Sequence, residues 1–302
     1  MKKLFRLFLK PIVVLAICAL ANVSNAADKI PVLASFSILG DLVRVVGADR
    51  VTVSVLVGPD EDAHVFEPKP SDAKNILQAQ LLVTNGLGFE HWAQKLIKSS
   101  GYKGLVVVAS QGVIAQNMPT EKGDSVETDP HAWQDPSNVA IYVRNIAAAL
   151  SKLDPAGARI YQLNSEVYTN ELKALDADAK IQISLIPVAK RKVITSHDAF
   201  GYFGAHYGIK FLAPQGISTN IEPSAKQIAQ LIQQIQMEKI KAIFFENMSS
   251  SKLLSQLSKD VGVTVGPELY VDALSKADGP ATSYLKLMRY NVTQLVAGMK
   301  KN

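Results

Sequence analysis

Short apolar runs alternate with longer amphipathic stretches over most of the chain, the pattern of an α/β protein. In the first half, residues 30–36, 51–56, 81–84 and 105–108 are expected as buried strands. Residues 38–46, 71–80, 90–99 and 137–153 carry helical spacing between and after them. The pattern recurs beyond residue 190, with expected strands at 193–196, 209–212, 242–245 and 263–265. Helices are expected there at 200–207, 224–237, 251–261 and 283–300. Two matching series predict two lobes of mainly parallel sheet with flanking helices.

Between the two series, residues 154–186 hold no glycine except Gly157 and no proline after Pro155. Ile160, Leu163, Val167, Leu172, Leu175 and Ala179 approximate one helical stripe. Asp154 suits an N-cap, Pro155 a first turn and Pro187 a stop. The expectation is one long rigid helix joining the lobes. It sets boundaries at 27–153 for the first lobe, 154–187 for the linking helix and 188–302 for the second. Residues 111–129 are polar, with Gly112, Pro119 and Gly123, and are expected as a loop.

The net charge of +5 changes the picture only at the start of the chain. Lys2, Lys3, Arg6 and Lys10 precede residue 27 and no acid does, so the remainder carries 28 bases against 27 acids. That balance gives no electrostatic reason to expect a nucleic-acid partner. The basic start, the apolar run 12–21 and the small residues Ser24-Asn25-Ala26 form a secretory signal expected to be cleaved after Ala26. The run is shorter than the roughly 20 residues that a bilayer demands. Cys18, the only cysteine, lies within it and follows the bulky Ile17, so no lipid anchor is expected. The mature chain then has no thiol, which excludes disulfides and thiolate ligands.

Three of the five histidines fall in loops beside predicted strands or helices. His64 lies beyond the second strand, His131 ahead of the helix at 137, and His197 where a strand turns into a helix. Ligands of open α/β sheets bind outside the carboxyl ends of strands, so these loops are candidates to converge. His91 and His206 are read as structural. No phosphate loop, nucleophile elbow or HExxH helix occurs.

With those motifs in view, the sequence resembles the zinc- and manganese-binding solute-binding proteins of bacterial ABC importers. The resemblance rests on 62–72 (DAHVFEPKPSD), 85–92 (NGLGFEHW), 129–136 (DPHAWQDP), 195–203 (TSHDAFGYF) and 269–275 (LYVDALS). It implies four metal ligands, His64, His131, His197 and Asp272, in a cleft between two lobes joined by one long helix. It also implies periplasmic capture of a divalent cation and delivery to an inner-membrane ABC permease by a monomer, with no catalysis. Three imidazoles and one carboxylate suit Zn²⁺. Manganese-dedicated relatives look to have a glutamate where His197 stands, so zinc is the expected cargo and Mn²⁺ the alternative. Glu67 and Asp198 are candidates to accept hydrogen bonds from ligand imidazoles, and Glu246, at the end of a predicted strand, is expected to face the cleft near the ligands. A zinc hydrolase, which would keep a coordination position open, and a surface adhesin are the readings from other classes.

Overall fold

The computed structural model describes residues 28–119, 126–249 and 251–302. The expected signal segment with Cys18, and residues 120–125 within the expected loop, lie outside them.

The first lobe is built on a parallel sheet of four strands in the order β2-β1-β3-β4: β1 (Ile30–Phe36), β2 (Val51–Val57), β3 (Leu81–Thr84) and β4 (Leu105–Val108). The central strands β1 and β3 read as nearly unbroken apolar runs because both faces are covered. The edge strands β2 and β4 alternate, with Thr52 and Ser54 more exposed than Val51 and Val57. Helices α1 (Ser37–Gly47), α2 (Pro70–Gln78), α3 (Ala93–Ser100) and α4 (Pro136–Leu153) flank the sheet. Each expected strand of this half matches its observed counterpart to within one residue.

Helix α5 (Ala158–Ser184) runs 27 residues, about 40 Å at 1.5 Å per residue. Asp154 accepts from Gly157 N–H and caps the 3-10 turn Pro155–Gly157 that leads into it. Arg50 and the Tyr161 hydroxyl both bond the same carboxylate, tying the start of α5 to the first lobe. The buried face is Tyr161, Ser165, Tyr168, Leu172, Leu175, Ala179 and Ile183. Ile160, Leu163 and Val167 are exposed, which corrects the front half of the expected stripe. Tyr161, Ser165 and Tyr168 continue the 3.6 period from Leu172, and their ring or small polar side chains hid it.

The second lobe pairs β7 (Lys192–Ile194) with β8 (Lys210–Leu212) in parallel, and lone parallel bridges join Ile194 to Ile243 and Glu246 to Leu269. The strand expected at 263–265 does not form among the described residues. Its neighbourhood bonds through Gly266 and Leu269 instead, with Pro267 between them lacking a donor. Helices α6 (Gly201–Tyr207), α7 (Ala225–Glu238), α8 (Ser251–Val261) and α9 (Tyr284–Met299) complete this half. The expected loop 111–129 contains a small antiparallel hairpin, β5 (Asn117–Pro119) with β6 (Val126–Thr128).

The core does not divide at the midpoint of the chain. One large cluster takes in β1, α1, α4, the buried face of α5, and Leu287, Met288, Val292 and Leu295 of α9. A smaller cluster around Ile194, Leu231, Ile243 and Leu254 holds the outer part of the second lobe.

Candidate metal centre

The two halves meet at the carboxyl ends of their strands. His64 follows β2, His131 precedes α4, His197 follows β7, and Asp272 follows the Leu269 bridge. One ligand atom from each lies within 4.8 Å of every other, and all four side chains are buried. His64 Nε2 is 3.2 Å from His131 Nε2 and 3.3 Å from Asp272 Oδ2. His197 Nε2 is 3.2 Å from Asp272 Oδ2, and His131 Nε2 is 3.7 Å from Asp272 Oδ1. Both Asp272 oxygens and His197 Nε2 lack a hydrogen-bond partner, a costly arrangement for buried polar atoms unless a cation joins them.

Each loop is held by a short polar device. In Asp62-Ala63-His64 and Asp129-Pro130-His131 the aspartate Oδ1 accepts the backbone N–H of the histidine, at 2.8 and 2.9 Å. Asp129 Oδ1 also lies 2.8 Å from His131 Nδ1, a tautomer assignment that turns the Nε2 lone pair toward the centre. Glu246 does the same for His197, since its Oε2 bonds Nδ1 while Oε1 accepts the Ser196 and His197 backbone N–H groups. Trp133 Nε1 and Gln134 Nε2 both donate to the Val271 carbonyl, which anchors the residue before Asp272 to the turn after His131. Phe89 packs edge-on against His64 at 4.8 Å between ring centres. It is presented by Asn85-Gly86-Leu87-Gly88, in which Gly86 has φ +84° and a Cβ there would meet Val108.

Burial pushes the His64 imidazole below its ordinary value, toward the neutral, ligating form. Burial also opposes charge on His197, yet the adjoining Glu246 and Asp272 carboxylates hold it well above its ordinary value. Asp272 is buried too, but His197 and His131 hold it well below the usual carboxylate range.

Glu246, expected only to face the cleft, is the residue that bonds the His197 ring. Glu67 is exposed and bonds none of the three rings among the described residues, because the chain after His64 turns its side chain to solvent. Asp198 lies near His131 and His197, and burial together with Asp129 raises it to about 6. Among the described residues no hydrogen bond joins its carboxylate to any of the three rings. Asp129 fills the role instead. The D-x-H spacing at 129–131, repeated at 62–64, is the sequence signal that could have marked it.

The model of the ZnuA family, described as zinc-uptake complex component A periplasmic, matches residues 32–298. The chain belongs to the ZnuA family. Two curated relatives are the manganese-binding lipoprotein MntA of Halalkalibacterium halodurans and the iron-binding protein YfeA of Yersinia pestis. They are 31% and 34% identical to the chain, each over 92% of it and over 91% and 88% of their own lengths. Among solved structures, the periplasmic zinc-binding protein TroA of Treponema pallidum superposes with a TM-score of 0.84 at 29% identity. It covers 90% of this chain and 99% of its own. As a member of the ZnuA family the chain is a metal-binding, substrate-binding component of an ABC importer and not an enzyme. The two-lobe α/β fold is that of its structural neighbours. Manganese, iron and zinc all appear in the names of these three proteins.

Proposed function

We propose that the protein captures Zn²⁺ in the periplasm through His64, His131, His197 and Asp272 and hands it to an inner-membrane ABC permease. The observation that carries this reading is the buried cluster of four donors whose carboxylate oxygens and His197 Nε2 have no other partner. Metal–nitrogen bonds of about 2.0–2.1 Å in a tetrahedron separate ligand atoms by about 3.3 Å. Three spacings, of 3.2, 3.3 and 3.2 Å, fall near that edge length, and His131 Nε2 stands 3.7 Å from Asp272 Oδ1. Three imidazoles to one carboxylate also favour zinc over manganese, whose preference runs to oxygen.

In this reading the first 26 residues are removed on export. Residues 27–153 and 188–302 are the two lobes, 154–187 link them, and the mature chain acts as a monomer. The lipoprotein name of the relative MntA motivates a competing arrangement, in which cleavage before Cys18 leaves a lipidated cysteine. The intact mass of the mature chain distinguishes the two.

The second reading is Mn²⁺, favoured by the name of that same relative. Competition between Zn²⁺ and Mn²⁺ at buffered free concentrations tests the cargo. Zinc is expected to hold the site at free concentrations at least tenfold below those manganese needs. Equal hold by the two ions would replace zinc with manganese.

A further inference from the structure

A second histidine junction lies where α4, α5 and α6 meet. His206, near the end of α6, sits between Asp135 Oδ2 at 3.2 Å from Nδ1 and Asp176 Oδ1 at 2.7 Å from Nε2. Asp135 caps α4 in the first lobe, accepting on Oδ1 from Ser137. Asp176 belongs to α5 and its Oδ2 pairs with Lys180 at 2.8 Å. Three elements from three parts of the chain therefore meet on one imidazole. The other titratable group against the ring is Tyr207, edge-on at 4.7 Å on the same helix. His206 is largely covered, with 18% of its side chain exposed.

The chain joins this junction to the metal centre at both ends. Asp135 is four residues past His131, and the turn between them is bonded to Val271. His206 closes the short helix that opens four residues past His197. The His206–Asp135 pair thus completes a ring of chain whose opposite side is the pair of candidate ligands His131 and His197.

We infer that His206 is a positioning residue, a proton-dependent brace that sets the separation of His131 and His197 and so holds the site ready for its cation. The inference rests on the metal-binding reading above. The chemistry lies in the donor count. Imidazolium offers two N–H donors and reaches both carboxylates, whereas neutral imidazole has one donor and one lone pair. Losing the proton leaves one carboxylate facing a lone pair, and one of the two contacts must open. The Asp135 and Asp176 carboxylates hold the imidazolium above its ordinary value, against partial burial, and Lys180 balances the second acid. The brace is therefore present below the unperturbed value near 6.5 and is lost as pH rises through the higher folded value.

The test compares zinc affinity of the wild type and His206→Gln at each pH from about 6 to about 9, in metal buffers. Taking the ratio at each pH cancels titration of the ligands themselves. The variant is expected to bind several-fold more weakly at the acid end, with the ratio closing toward one at the alkaline end. Asp176→Asn, which keeps an acceptor but removes the charge, is expected to show a reduced ratio with the same convergence, and serves where the glutamine variant folds poorly. A ratio of one throughout, or a deficit that does not change with pH, would overturn the brace. Absence of metal binding by the wild type at every pH would instead overturn the reading on which it rests.

Discussion

Gly201 owes its identity to a carboxylate from the other half of the chain. A Cβ built on it would lie 2.4 Å from Asp129 Oδ2, the acid whose other oxygen orients His131. Its backbone needs no left-handed conformation, so the constraint is space alone. Gly201→Ala is expected to displace Asp129 and weaken metal binding by about tenfold, about 1.4 kcal/mol, while the fold survives. His131→Ala should weaken binding by at least as much, and calorimetric titration with zinc measures both. Unchanged affinity in the glycine variant would mean that Asp129 does not position the ring. At this scale the three candidate ligand histidines were legible because each lies in a loop after a strand or before a helix. Asp272 was legible only through the family resemblance, since a single aspartate after a weak strand has no local signature. Gly201 acts on Asp129 through a contact between distant segments, which spacing along the chain does not encode.

Helix α5 separates two kinds of apolar residue that look alike in the sequence. Leu163 and Leu172 fit one expected stripe, yet Leu163 is 56% exposed and Leu172 is 1% exposed against the large core. Leu172→Ala is expected to cost about 2–5 kcal/mol of stability, through lost burial and the cavity left behind. Leu163→Ala should stay within about 0.5 kcal/mol. Urea unfolding of the two variants checks the assignment of faces, and similar losses would refute it. Element existence was otherwise legible wherever local pattern and burial agreed, as in the strands of the first lobe. It failed at 242–245, where only a lone bridge at Ile243 forms, at 263–265, where no strand forms among the described residues, and at the β5–β6 hairpin, whose three-residue strands are too short to show a pattern. The buried stripe in the first turns of α5 was misread because Tyr161 and Tyr168, not Ile160 and Val167, face inward.

At the scale of the whole molecule, α9 belongs to a core begun more than two hundred residues earlier. It packs on α5 and α1, and Leu287, Met288, Val292 and Leu295 join the cluster that holds Ile38, Leu39 and Leu42. The Tyr284 backbone N–H bonds Asp41 at 2.8 Å, and the Tyr284 hydroxyl bonds the Trp133 carbonyl at 2.7 Å. A chain ending before Tyr284 is expected to lose cooperative unfolding and to be cleaved rapidly by protease, although both strands of the second lobe remain in it. Resistance equal to that of the full chain would show the core to be complete without its last helix. Contacts of such long sequence separation form late, because the intervening chain must be closed before they contribute. For an exported protein that delay has a use. The largest core cannot close until the final helix has been synthesised, so the nascent chain stays loose enough to be threaded through a translocation channel. A chain that crosses a membrane unfolded can close this core, and with it the metal site, only once α9 has followed.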